Sequence, residues 1–162
     1  MIKAESRTLD VWVVLPQRVL LLDIAGPMEV LRRANAEQSA LQFNVHYVGS
    51  SARATSSIGI PLADIAPLPS TIPPRAMIIV PGSADKIAFA EDMSQAAVRQ
   101  DERAIVDWLR ACVRPGHTLM TICSGALLAA RAGLLDGYSC TTHHAECGEL
   151  DRKSVVGKEC RP

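Results

Sequence analysis

An α/β domain built on a doubly wound, mostly parallel sheet is the fold class this sequence predicts, and three observations predict it. Short apolar and β-branched runs near 9–15, 43–48, 77–80 and 118–122 read as strands, that at 9–15 with the pattern of one buried on both faces. Between them lie segments whose apolar residues return at helical spacing. The length, 162 residues, suits one ordinary domain and hardly two. Strands alternating with helices in one domain of this size give a parallel sheet covered on both faces.

Taken in order, Leu9 to Leu15 (LDVWVVL) reads as a buried strand. Pro16 to Asp23 is expected to be a connection, although it carries Val19, Leu20, Leu21 and Leu22. Gly26-Pro27 then opens a helix with Pro27 as its first residue, where the missing N–H costs nothing. Met28, Leu31 and Ala34, or Val30 and Ala34, share a face, and Glu29, Arg32 and Arg33 turn to water. Phe43 to Val48 is a second strand. Residues 54–74 hold Gly59 and five of the chain's ten prolines, which suggests extended pieces and turns. Met77 to Val80 is a strand that stops at Pro81-Gly82. Ile105, Val106, Leu109, Cys112 and Val113 follow the i, i+1, i+4, i+7, i+8 rule of an amphipathic helix. Thr118 to Ile122 is a strand, and Ser124 to Ala132 a helix of small residues closed by Gly133. Cys140 and Thr142 fall at alternate positions and read as strand residues.

Charge and composition exclude several classes. Lys plus Arg and Asp plus Glu both total 17, so the surface is not one built to neutralise phosphates. Six aromatics leave an aliphatic core. The longest stretch without Asp, Glu, Lys or Arg, Pro115 to Ala130, is shorter than the ~20 residues a membrane span needs. Residues 1–7 contain no apolar secretion signal, so a cytoplasmic chain is expected. Five cysteines (Cys112, Cys123, Cys140, Cys147, Cys160) in such a chain read as reduced thiols. Residues 1–150 are expected to form one domain with its C-terminal part missing. Residues 151–162 (DRKSVVGKECRP), which have no apolar period, are expected to be a non-native tail.

Chemistry concentrates at Cys123. Leu119-Met-Thr-Ile-Cys123-Ser-Gly-Ala places it between a buried strand and a small-residue helix, the setting of a nucleophile elbow. The free N–H groups and positive dipole end of that helix favour a thiolate. Thr121 stands where the elbow's first Gly would be. Asp23 follows the first strand, at the same sheet edge if the strands are parallel, from where it can hydrogen-bond the thiol; a turn or cap role is its plain alternative. Pro81-Gly82-Ser83 follows a further strand. Backbone N–H groups of Gly82 and Ser83, with that of Ser124, form a candidate oxyanion or carboxylate site.

Together LLDIAGPMEVLRRAN, SSIGIPL, IIVPGS, ICSGALLAARAGLLDG and CTTHHAECGEL resemble the ThiJ/PfpI superfamily, the class I glutamine amidotransferase-like proteins. The resemblance is closest to the amidase-like N-terminal domain of GlxA-type AraC-family transcriptional regulators, and covers nearly residues 8–150. It implies a flavodoxin-like three-layer sandwich, with Cys123 as the elbow cysteine, Asp23 as its acid partner, and Gly82 and Ser124 in the oxyanion-type loops. Protease-like members place His directly after the cysteine; Ser124 stands there in this chain, which argues against peptidase chemistry. Regulators of this group continue into more sheet and a helix-turn-helix domain.

Cys140, His143, His144 and Cys147 lie within eight residues, but zinc sites draw ligand pairs from separate turns, and no metal or other cofactor is expected. His46 and His117 read as structural. The functional reading is a ligand-sensing domain whose pocket, lined by Cys123, Asp23 and the Gly82 loop, takes a small polar molecule. DNA is contacted only through a separate C-terminal domain, no membrane is involved, and a homodimer is compatible with the sequence. Two alternatives remain open: a cysteine-dependent hydratase or hydrolase of the isocyanide hydratase type, and a protective thiol protein oxidised at Cys123.

Overall fold

The computed structural model of the chain describes residues 7–89 and 93–153. In chain order the first half contains β1 (Arg7–Val14), β2 (Arg18–Val19), α1 (Leu21–Glu37), β3 (Leu41–Gly49), β4 (Ala54–Ser56), β5 (Pro61–Leu62) and β6 (Ala66–Pro67). The second half contains β7 (Met77–Val80), α2 (Gln95–Cys112), β8 (Thr118–Thr121), α3 (Gly125–Arg131), a single 3-10 turn (His144–Glu146) and α4 (Cys147–Lys153).

Five strands form one sheet in the order β6-β3-β1-β7-β8, with every pair parallel. The sheet is the doubly wound one the apolar runs predict. Side chains alternate across β1 and so divide the core in two. Val11, Val13 and Leu15 pack with Ile79 of β7 and with Ile24, Met28 and Leu31 of α1. Val14 faces the other way, with Val48, Ile78, Val80, Ile105 and Leu109 of α2 and Leu128 of α3. A smaller cluster of Leu127, Ala130 and Leu150 attaches α4 to α3. β2, β4 and β5 make a separate three-stranded sheet, the form taken by the extended pieces expected between 54 and 74. No helix among the described residues is long and apolar enough to cross a membrane.

α1 begins at Leu21 and runs through Pro27, six residues before the start that Pro27 suggests. Tertiary contacts set that start. Leu20 N–H donates to the Gly82 carbonyl (3.0 Å) and Leu21 N–H to Ser57 Oγ (3.3 Å), while Asp23 occupies the first turn, where a carboxylate suits the positive helix end. Met28 and Leu31 face the core as expected, whereas Val30 is exposed.

α2 is longer than its apolar stripe. Ser94 caps it by accepting the Ala97 N–H (3.2 Å), and its first turns bury Val98 and Asp101. Asp101 holds two loops at once: Oδ2 accepts the Gln17 N–H (2.9 Å) and Oδ1 the Ser50 hydroxyl. Burial raises its pKa, and the bonds from Ser50 and Gln17 only partly counter that.

Cys140 and Thr142 do not lie in a strand. After Gly133 and Gly137, both in the left-handed region (φ 76° and 82°), the chain passes without pairing to β8 and reaches the Cys123 turn, where Thr142 bonds the Cys123 carbonyl. Residues 151–153 complete α4, and the remainder of the expected tail, 154–162, lies outside the described residues.

Candidate functional site

β1 sends the chain to β3 on one side, and β7 sends it to β8 on the other, so the winding reverses between β1 and β7. Ligands of such sheets bind outside the strands' carboxyl ends at this reversal. There the chain makes a sharp strand-to-helix turn. Ile122 N–H still donates to the Val80 carbonyl (3.0 Å), and Gly125 N–H then returns to the Ile122 carbonyl (2.9 Å). Cys123 between them has φ 52°, a left-handed conformation that costs a non-glycine residue about 1–2 kcal/mol. Gly125 makes the turn possible: a Cβ there would stand 2.0 Å from the Val80 carbonyl oxygen and 2.9 Å from that of Pro81.

The loop after β7 closes against this turn. Gly82 N–H donates to Asp23 Oδ2 (3.0 Å) and Ser83 N–H to Ser124 Oγ (3.1 Å). A Cβ on Gly82 would lie 2.8 Å from Leu20 Cδ1, 2.9 Å from Asp23 Oδ2 and 3.0 Å from Ser124 Oγ. Asp23, Gly82, Ser83, Ser124 and Cys123 therefore stand together at the sheet edge. Their bonding differs from the sequence expectation in two respects. The Asp23 carboxylate takes the Gly82 N–H, and among the described residues no hydrogen bond joins it to Cys123. The N–H groups of Gly82 and Ser83, expected as oxyanion donors, are both engaged by side chains.

Electrostatics follow from this arrangement. Burial pushes the Cys123 thiol up from its ordinary value; hydrogen bonds from Ser124 N–H and its hydroxyl pull it down, and the charges of Asp23 and Glu146 push it up again. The net direction is up, against the thiolate that a helix N-terminus favours. α3 has only seven residues, and desolvation is the largest of the effects on the thiol.

A cavity of about 320 Å³ opens above the thiol, walled by Leu20, Ser57, Lys86, Ser124, His143 and Glu146 among others. It is of the size that takes a small molecule. A smaller hollow of about 180 Å³ lies behind Ser83 and Ser124. There Arg131 bridges Glu102 (2.7 Å) and Glu149 (2.6 Å) and so ties α3 to α2 and α4. Two larger grooves, of about 690 and 700 Å³, run along α1 and beside β8, and none of the five candidate residues lines either.

His143 and Glu146 were not legible as site residues. The sequence offers His143 only within the Cys140, His143, His144 and Cys147 group, of which the structure keeps the His143 and His144 rings together (centroids 4.2 Å apart) and sets Cys140 apart. His143 lines the cavity, Cys140 packs beside Leu127, Ala130 and Leu150, and Cys147 Sγ points to the His143 carbonyl (3.9 Å). Among the described residues no three His, Cys, Asp or Glu side chains are grouped to hold a metal ion. His46, read as structural, bonds Asp10 (2.8 Å) and stacks on Trp12. His117 accepts the Arg114 N–H (3.1 Å) at the turn before β8.

Comparison with solved structures shows the class of fold: it is the one that ThiJ/PfpI proteins have. A ThiJ/PfpI family protein from Pseudomonas syringae superposes with a TM-score of 0.67 at 18% identity, over 99% of this chain and 61% of that one. An AraC family transcriptional regulator from Pseudomonas putida does so at 0.61 and 18%, over 93% and 75%. Drosophila melanogaster DJ-1beta does so at 0.56 and 14%, over 94% and 75%. In sequence, one stretch of 45 residues is 47% identical to the HTH-type transcriptional regulator GbdR of Pseudomonas aeruginosa, amounting to 28% of this chain and 12% of that regulator. No family model matches the chain.

Proposed function

We propose that this chain is the ligand-sensing, amidase-like domain of an AraC-type transcriptional regulator, with DNA contacted by a separate domain. The observation that carries this reading is the state of the thiol. Nucleophilic catalysis by cysteine needs a lowered pKa or a base that takes its proton. Here burial and two carboxylates push the Cys123 thiol up, Asp23 is bonded to Gly82, and the Gly82 and Ser83 N–H donors are occupied. What remains is a polar cavity at a sheet edge, suited to a small polar molecule. The local likeness to GbdR and the shared fold of AraC-family regulators support the same reading.

A second reading rests on Cys123, whose thiol lines this cavity. In an isocyanide hydratase the Cys123 sulfur would attack the terminal carbon, with Asp23 handling the proton delivered to that carbon. Water would then displace the thiol from the resulting thioimidate to release a formamide. The deciding experiment compares wild type with Cys123→Ser and Asp23→Asn, by hydration of simple isocyanides and by thermal shift against a panel of polar metabolites. The expected result is no hydration above buffer and a ligand shift that survives Cys123→Ser. Turnover abolished by both substitutions sinks the sensor reading and promotes the enzyme.

A further inference from the structure

The contact between Thr142 and Cys123 crosses nineteen positions of sequence, and nothing above assigns it a role. Thr142 Oγ1 donates to the Cys123 carbonyl at 2.9 Å. The bond falls on the residue at φ 52°, at the strand-to-helix turn. The next residue, His143, lines the cavity, as does Glu146 one turn further on. The far end of this segment is fixed independently, by Arg131 on Glu149 (2.6 Å) and by buried Leu150.

Resting on the reading of this cavity as the functional site, we propose that Thr142 is its positioning residue. Its hydroxyl latches the 140–146 segment to the Cys123 backbone and holds His143 and Glu146 in the cavity wall beside the half-buried thiol. Thr142 touches neither thiol nor ligand and acts through the wall it anchors. The charged and titratable groups near Cys123 come from three directions: Asp23 on α1, Asp85 and Lys86 on the loop after β7, and His143 and Glu146 on the latched segment. Releasing the latch moves the third set and exposes the half-buried sulfur further. Both effects favour the thiolate, because burial and Glu146 are among the groups that oppose it.

The test is the pH dependence of Cys123 alkylation by iodoacetamide, read by peptide mass spectrometry on the folded chain and needing no ligand. Thr142→Val keeps the shape and removes the hydroxyl; Thr142→Ser keeps the hydroxyl. Thr142→Val is expected to move the midpoint down by roughly half a unit or more and to raise the rate at pH 8 about threefold, with Thr142→Ser matching wild type. Buried Cys112 is the internal control: if it accelerates in parallel, the change is general loosening and the proposal fails. An unmoved midpoint in Thr142→Val, or equal shifts in Val and Ser, also overturns it. Should Thr142→Val not fold, Glu146→Gln decides. It must lower the midpoint too, and an unchanged profile refutes a wall held beside the thiol. A ligand screen that finds nothing would count against the sensor reading alone, since the alkylation profile is measured without one.

Discussion

Cys123→Gly should be more stable than Cys123→Ala. Both substitutions remove the sulfur, its burial and its bonds to Ser124, so their difference isolates the backbone. At φ 52° a Cβ costs about 1–2 kcal/mol, which glycine avoids. Glycine gives back about 0.4–1 kcal/mol through the greater freedom of its unfolded chain. The net advantage is about 1 kcal/mol. For a domain of 162 residues that corresponds to roughly 2–4 °C in Tm. Urea and thermal unfolding followed by circular dichroism measure it directly, and wild type is not the reference because it also retains the sulfur contacts. Equal stability of the two variants, or Ala above Gly, would show that Cys123 carries no left-handed strain and would remove the geometric basis for the turn described here.

Gly125→Ala places a Cβ 2.0 Å from a main-chain oxygen of β7, and neither backbone can yield cheaply. A loss beyond the usual ~1–3 kcal/mol of overpacking is expected, seen as loss of the cooperative thermal transition; a Tm within a few degrees of wild type contradicts it. Wild-type Cys123 should alkylate with a midpoint above the ordinary 9.0 of a thiol, and a plateau below pH 8 would show a stabilised thiolate instead. For Asp101 the folded pKa is raised above 3.8. Its contribution is therefore complete below about pH 3.8 and falls as pH rises through the window between the unfolded and folded values. The Tm of Asp101→Asn relative to wild type should accordingly increase from pH 4 towards pH 7, whereas a constant difference would mean that burial does not oppose the Asp101 charge.

What the sequence made legible follows from where free energy is local. The central strands β7 and, from Val11 on, β1 are buried on both faces and so leave apolar runs, whereas the edge strand β8 keeps Thr118 and Met120 exposed; the stripe Ile105 to Cys112 marks the core face of α2. The start of α1 was misread because Pro27 states a sound local preference that contacts from Leu20 and Leu21 override. The positions of Asp23, Gly82, Ser83, Cys123 and Ser124 at one edge follow from parallel topology. Their pairing does not, because only the folded loop shows that Gly82 N–H reaches Asp23 before any ligand does. His143 and Glu146 lie beyond any periodicity that could connect them to Cys123, and their placement depends on a side chain meeting a carbonyl across an irregular segment.

The fit around Gly82 has a mechanical consequence. Its missing Cβ is occupied from three sides, by Leu20 before α1, Asp23 within α1 and Ser124 before α3, while its carbonyl holds the Leu20 N–H. α1 lies on one face of the sheet and α3 on the other. A molecule that draws the Ser124 hydroxyl aside by even a few tenths of an ångström therefore acts on a hinge pin shared by both outer layers. Ser124 itself lines the 320 Å³ cavity on one side and the 180 Å³ hollow on the other, so whatever fills either space meets the joint between the two layers.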